Sequence, residues 1–335
     1  MTTSSRPQAD GEQHNTLQDE QSPLLPRHDR RKSSNTASSL GFGSFLWRHA
    51  FSPLPEIESS GEALPSAYLP PLLLQCLITG LADASTFTLT KAWVGFMTGN
   101  MVQMIINAFD VLLPSDSNAD NDVGESRKKL YSNISSLLGF AIGCQITGIV
   151  VQRLSTDRTK RITLVLISIY RSIVTLCVIV LGMYSPAFRL SGSLGWLVIM
   201  IMASSLGSQS TYTTSLSTPF ANTVVFTATL TSVASDLHLV TLHLSTMNYF
   251  KLLSMLGLFG GAALSQVVLK VATAASRRDK HEAVQHALIV LSGMELLLGL
   301  LWYLCGIVSH WKQYRRSASD GSGNGGGDTD TDRQS

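Results

Sequence analysis

Long apolar runs dominate this chain and leave it few possible folds. A helix that crosses a bilayer needs about 20 mostly apolar residues. The sequence offers eight such stretches: Tyr68–Leu89, Ala92–Leu113, Leu130–Gln152, Ile162–Met183, Leu194–Leu216, Phe220–Leu237, Tyr249–Ala272 and Val284–Val308. The hydrocarbon layer holds no water, so backbone groups there must pair internally, as in helices or a closed barrel. Barrel strands alternate apolar and polar residues over short segments, and these runs do not alternate. The expected fold is therefore all-α, a polytopic transmembrane helical bundle of about seven or eight membrane segments. The second, fifth and sixth stretches are rich in Thr, Ser, Asn and Gln. They are candidates for broken or re-entrant segments.

Composition agrees with this division. Charged residues make up 14% of the 335, against roughly 25% in soluble domains, and they gather at the ends. Residues 1–66 and 312–335 read as disordered polar tails, because they carry too little apolar surface to offset the entropy of ordering. Residues 67–311 read as the membrane domain. An apolar body of this kind excludes a nucleic-acid-binding protein, whose affinity rests on clustered Lys and Arg, and makes membrane lipid the surrounding partner. Residues 1–40 hold no hydrophobic h-region, so no signal peptide is expected.

The two halves of the body, about 68–183 and 194–308, resemble each other. LLGFAIGCQITGIVV (137–151) aligns with MLGLFGGAALSQVVL (255–269), which sets Gly139 and Gly143 opposite Gly257 and Gly261. Small residues four apart let helices approach closely. A basic loop follows each segment: Arg153, Arg158, Lys160 and Arg161 in one half, Arg277, Arg278 and Lys280 in the other. GLADAST (80–86) faces GSQSTYT (207–213), and FMTGNMVQM (96–104) faces VFTATLTSV (225–233). If Lys and Arg stay cytoplasmic, both basic loops should share one side, which implies a parallel repeat with an even number of spans per half. In an eight-span arrangement the basic residues near the membrane are equally numerous on the two sides, so the charge rule does not orient the chain.

Ionisable groups inside a membrane are costly and are functional candidates. Three stand deep in the runs: Asp83, Arg171 and Glu295. Asp83 either binds a cation or proton or caps a helix. Arg171 and Glu295 hold repeat-equivalent positions of opposite charge, so a structural ion pair is the favoured reading over a substrate site. The densest polar element contains Thr98, Gly99, Asn100 and Gln103. Asn100 and Gln103 share a helical face, suited either to a polar ligand or to a neighbouring helix. Gln209, Ser210 and Thr227 take the corresponding places in the second half.

Other signals are absent. No HExxH, GxSxG or P-loop occurs, so no enzymatic activity, metal or cofactor is expected. Cys76, Cys144, Cys177 and Cys305 fall in separate runs and read as small buried hydrophobes. In the N-terminal tail, Glu20, Leu24 and Leu25 resemble an acidic dileucine sorting signal. That resemblance implies a cytosolic N-terminus, adaptor-protein binding, and delivery to vacuolar or endosomal membranes or the plasma membrane.

GLADASTF followed by FMTGNMVQ resembles the Gly-x-x-Asp-Ala-x-x-Phe … Thr-Gly-Asn hallmark of the YoaK-type membrane proteins, a family of unknown function. The likeness covers roughly residues 70–310. The second-half copy departs from the family form at Gly207-Ser208-Gln209-Ser210-Thr211 and Thr227-Ala228. The resemblance implies a multi-pass inner-membrane or endomembrane protein, and a permease-like role is an inference from the duplicated polytopic core with polar motifs in mid-segment. The expected function is transport of a small-molecule substrate. In that reading Asp83 handles a coupling ion, and Thr98, Asn100 and Gln209 contact the substrate. The alternative is a non-transporting scaffold or an integral-membrane enzyme.

Overall fold

The computed structural model describes residues 42–52, 66–113, 119–154, 161–216, 230–231, 233–235, 246–276, 280–308, 310–312 and 314, and among the described residues helices are the one kind of regular element. All fall in one unit, Leu40–Ser335. Glu20, Leu24, Leu25 and Thr227, with most of the sixth apolar stretch, lie outside the described residues. The helices are α1 (Phe42–Phe51), α2 (Leu69–Thr90), α3 (Met97–Leu112), α4 (Ala119–Leu154), α5 (Arg161–Tyr184), α6 (Gly195–Ser215), α7 (Thr246–Ser276) and α8 (Lys280–Leu304).

Five of them, α2, α4, α5, α7 and α8, are long and apolar enough to cross a membrane, so the protein is a multi-pass membrane protein. This is fewer than the expected seven or eight segments. The 16 residues of α3 reach only about 24 Å, short of a hydrocarbon core of about 30 Å. The 21 residues of α6 are long enough, but Ser204, Ser205, Ser208, Gln209, Ser210, Thr211, Thr213 and Thr214 make its average too polar.

Glycines set the packing of the halves. A Cβ on Gly139 or Gly143 of α4 would collide with the carbonyls of Met200 or Ser204 on α6, and one on Gly207 would collide with the carbonyl of Phe140. The same contacts recur between α7 and α2. Gly261 lies against the Leu77 carbonyl, Gly257 against Leu73 and Cys76, and Gly80 against the Leu258 carbonyl. Under the sequence alignment these partners are repeat-equivalent: Phe140 with Leu258, and Ser204 with Leu77. Each half thus lends its third aligned segment to the first segment of the other.

The helix directions reverse the expected parity. One end of the bundle, the near end, gathers α1, the start of α2, the start of α5 and the end of α8. There Arg161 donates to the Cys305 carbonyl at 3.0 Å and to Ser52 Oγ, and the Cys305 thiol lies 3.3 Å from the Ala67 carbonyl. At the far end Ser191 Oγ meets the His281 ring at 3.0 Å, and Lys128 Nζ donates to the Ser191 carbonyl. So α2, α4 and α5 run near-to-far, far-to-near and near-to-far, while α6, α7 and α8 run the opposite way. The repeat is inverted, with an odd number of long helices per half, and not parallel. The helix ends that bracket the two basic loops lie at opposite ends, because three crossings reverse the direction in which the second copy begins.

The aromatic near end also docks α1. His49 is fully buried; its Nδ1 lies 3.2 Å from His310 Nδ1, and its Nε2 is 2.9 Å from the Tyr303 carbonyl. Burial, with Arg161 close by, holds both imidazoles below their ordinary value of 6.5. Folding therefore favours the neutral rings. Their contribution to stability is complete above that ordinary value and is lost as pH falls below it, when the unfolded chain binds protons that the folded one resists.

Two outcomes follow. Gly143→Ala and Gly261→Ala should each lower stability by about 1–3 kcal/mol, read as a drop in melting temperature in detergent, whereas Gly148→Ala, which meets open space, should leave it unchanged. The hydrogen-exchange protection of residues 42–51, corrected for the intrinsic exchange rate, should fall as pH is lowered from about 7.5 to about 5, and His49→Gln/His310→Gln should remove that loss of protection.

Candidate functional site

Two polar clusters draw on the residues that the sequence singles out. The first folds the turn between α2 and α3. Asp83 sits in α2, seven residues before its last residue, or about 10 Å along the axis. Its Oδ1 accepts the backbone N–H groups of Val94 at 2.9 Å and Gly95 at 2.6 Å. Asn100 is fully buried. Its Oδ1 accepts the Trp93 N–H at 2.9 Å, and its Nδ2 donates to the Trp93 carbonyl at 2.6 Å and to Ser136 Oγ of α4 at 3.0 Å. The turn begins at Lys91, whose left-handed backbone (φ 55°) stops α2.

This arrangement makes the segment re-entrant. Lys91 lies at the far end, within electrostatic reach of Glu125 in the first turns of α4. From there the chain dips back to the level of Asp83 and Ser136. It then rises in α3 and rejoins α4 at the end it left. Small residues and rings permit the dip. A Cβ on Gly95 would stand 3.0 Å from the Asp83 carboxylate, and one on Gly99 would enter the rings of Phe96 and Trp93. Phe87 stacks on Trp93 at 4.2 Å, and Trp93 meets Phe96 edge-on at 5.5 Å. Thr98 is exposed, and Gln103 is half-buried with its carbonyl taken by Asn107 at 2.7 Å. The hydrogen bonds of Asp83 thus go to backbone, those of Asn100 go to the Trp93 backbone and the Ser136 hydroxyl, and Thr98 is exposed.

The second cluster lies at the centre, where the halves meet. Arg171 of α5 and Glu295 of α8 pair at 3.0 Å, with side chains 0% and 2% exposed. Arg171 Nε also donates to Ser205 of α6 at 3.2 Å, and Thr175 donates to Glu295 Oε2 at 3.0 Å. Beside them Ser172 and Ser292 share a hydrogen bond of 2.7 Å. Tyr212 of α6 donates to Gln75 Oε1 of α2 at 3.1 Å, and Gln209 Nε2 donates to Thr79 at 2.8 Å. Arg171 and Trp302 face the Tyr212 hydroxyl as well. Four buried polar atoms here, Arg171 Nη1, Gln75 Nε2, Gln209 Oε1 and Trp302 Nε1, have no partner in hydrogen-bond geometry. A buried polar atom without a partner costs about 1–3 kcal/mol; of the four, Arg171 Nη1 and Trp302 Nε1 belong to the side chains that face the Tyr212 hydroxyl.

Gln209 therefore joins the central cluster, while Asp83 and Asn100 hold the re-entrant turn. Sequence reading did not single out Gln75, Thr79, Thr175, Ser205, Tyr212 or Trp302. Spacing offered a partial signal: Gln75, Thr79 and Asp83 are four apart on α2, as are Arg171 and Thr175 on α5, and residues four apart share a helix face. Among the described residues no group of three His, Cys, Asp or Glu gathers.

Residues 72–277 match the model of a family described as Protein of unknown function (DUF1275), and the chain belongs to that family. Neither a curated protein nor a solved structure matches it.

The central pair makes a direct expectation. Arg171→Gln and Glu295→Gln should each destabilise the protein by about 3–5 kcal/mol, because each leaves one charge buried alone. The exchange R171E/E295R should regain a large part of that loss in a thermal melt. It should not regain all of it, since Ser205 and Thr175 would then face the wrong charge.

Proposed function

We propose that this DUF1275 protein is a permease for a small polar molecule, working by exposing its centre alternately to the two ends of the bundle. The observation that carries this reading is the sealed Arg171–Glu295 pair, set where two inverted halves meet and surrounded by unpartnered polar atoms. Inverted repeats of this kind in transporters place the substrate site at the repeat interface near the midplane, often beside discontinuous helices. The re-entrant α3 segment supplies a discontinuity of that type. Arg171, Gln75, Gln209 and Tyr212 are the proposed substrate contacts. Asp83 and Asn100 are assigned to holding the re-entrant turn.

The sealed pair also suggests how movement and binding are coupled. A charge pair in hydrocarbon is stable only while each member has a partner. A polar molecule that replaces part of that partnership allows α5 and α8 to separate, and none of this requires an enzymatic step. The proposed residence is a vacuolar, endosomal or plasma membrane, with the N-terminal tail as adaptor ligand through Glu20, Leu24 and Leu25.

Flux into reconstituted vesicles tests the reading. Wild-type vesicles should take up at least one member of a broad panel of amino acids, sugars, nucleosides and organic acids faster than empty vesicles. Gln75→Leu should abolish that flux, while removal of residues 1–60 should preserve it. A scaffold would give the reverse pattern: flux equal to empty vesicles for the whole panel, and loss of partner binding on tail removal.

A further inference from the structure

The far end of the bundle carries a cavity unconnected with the central cluster. It has a volume of about 270 Å³ and lies between the first turns of α4 and the turn joining α5 to α6, with Arg127, Lys128, Tyr131, Ser132, Ser193 and Trp196 on its wall. Two full positive charges therefore meet four hydroxyl-bearing residues, Tyr131, Ser132, Ser191 and Ser193, in one concavity. Three carboxylates, Asp120, Asp122 and Glu125, stand in the first turns of α4, and of these Glu125, the nearest in sequence to Arg127 and Lys128, is paired with Lys129 at 2.7 Å. Lys128 donates one of its hydrogens to the Ser191 carbonyl, which fixes the ammonium at the rim. No ion pair engages Arg127 among the described residues. A guanidinium free to present its planar fork is suited to a phosphate.

The surroundings distinguish a lipid from a free ion. Tyr131 is 56% and Trp196 41% exposed, and aromatic side chains of this kind settle at the level of lipid headgroups. Below Tyr131 on α4, Leu138 and Ile142 are 55% and 47% exposed. These residues stand seven and eleven positions on, along one helix face, and form an apolar stripe leading from the cavity into the bilayer. A free phosphate would use the cations and leave the stripe unexplained. A phospholipid uses both: its phosphate meets Arg127 and Lys128, and an acyl chain follows the stripe.

We propose that this far-end cavity binds the headgroup phosphate of an anionic phospholipid. A headgroup with no cation of its own, such as phosphoglycerol, leaves the two basic side chains as its counter-charge. Phosphocholine brings its own cation and competes with them.

Native mass spectrometry of the full chain released from detergent micelles tests this directly. With equimolar phosphatidylglycerol and phosphatidylcholine supplied, the wild-type protein should retain phosphatidylglycerol in clear preference. R127Q/K128Q should reduce that retention about tenfold, roughly the loss of one strong charge-assisted contact. R48Q/K312Q, which removes two charges at the near end, should leave the retention unchanged. A thermal melt should show lipid-free R127Q/K128Q as stable as wild type, so that the loss is one of binding. Equal retention of the two lipids by wild type, or equal loss in the near-end variant, would overturn the proposal. So would stabilisation of wild type by millimolar inorganic phosphate with no added benefit from phosphatidylglycerol, which would mark a site for the free anion.

Discussion

Backbone polar groups inside a bilayer must be paired by the protein, and the re-entrant turn after α2 is where that requirement presses hardest. A turn at membrane depth exposes amides that no helix satisfies. Here the side chains of Asp83 and Asn100 stand in for the missing helix partners: one takes the N–H groups of Val94 and Gly95, the other both polar groups of Trp93. Ser136 then ties the same turn to α4 by donating to the Trp93 carbonyl at 2.5 Å. Without these contacts α3 would have no reason to begin two turns below the end of α2. The two long helices of the first half would then have to be joined some other way. The most distinctive sequence motif of the chain is thus a solution to a solvation problem.

That placement changes what the remaining polar residues can mean. Once the turn accounts for Asp83 and Asn100, the buried charge left to explain is the Arg171–Glu295 pair. It is held by hydroxyls from α5 and α6 and faced by Tyr212 and Gln75 across the boundary of the halves. Glycine contacts of α4 with α6 and of α7 with α2 are backbone-close and repeat-equivalent, so the frame around the pair is stiff and symmetric. Each seam joins a helix of one half to a helix of the other, so motion is expected between the α2–α7 and α4–α6 pairs, across the polar centre, and not along the glycine seams.

Much of this was legible in the sequence, and the failures have physical causes. Apolar runs gave the helices, because length and hydropathy act locally. The glycine register gave the repeat, because close approach leaves no room for a side chain. Arg171 and Glu295 could be matched because the repeat aligned them. Parity was misread: the basic loops were assigned to one side by a charge rule, whereas direction depends on how many segments truly cross. Thr98, Asn100 and Gln103 were polar enough to mark an unusual segment, yet their sequence does not say whether backbone or ligand receives their hydrogen bonds. Gln75, Tyr212 and Trp302 escaped notice because a single polar atom in an apolar run has no pattern. Only the tertiary meeting of α2, α6 and α8 gives them a common address.

The inverted parity also redistributes the basic loops. In a parallel duplication both copies of a basic loop add their charge to one side. In an inverted duplication the copies fall on opposite sides and cancel. Arg153 and Arg161 then sit at the near end and Lys280 at the far end, and the bundle carries no net instruction from its loops. Arg127 and Lys128 lie in the first half, on the stretch of α4 ahead of the aligned glycine segment, at one end of the bundle. A basic cavity without a repeat-equivalent breaks the symmetry that the duplication imposed. An anionic headgroup bound there would favour the leaflet richer in anionic lipid and so give the two ends of an otherwise balanced bundle different energies.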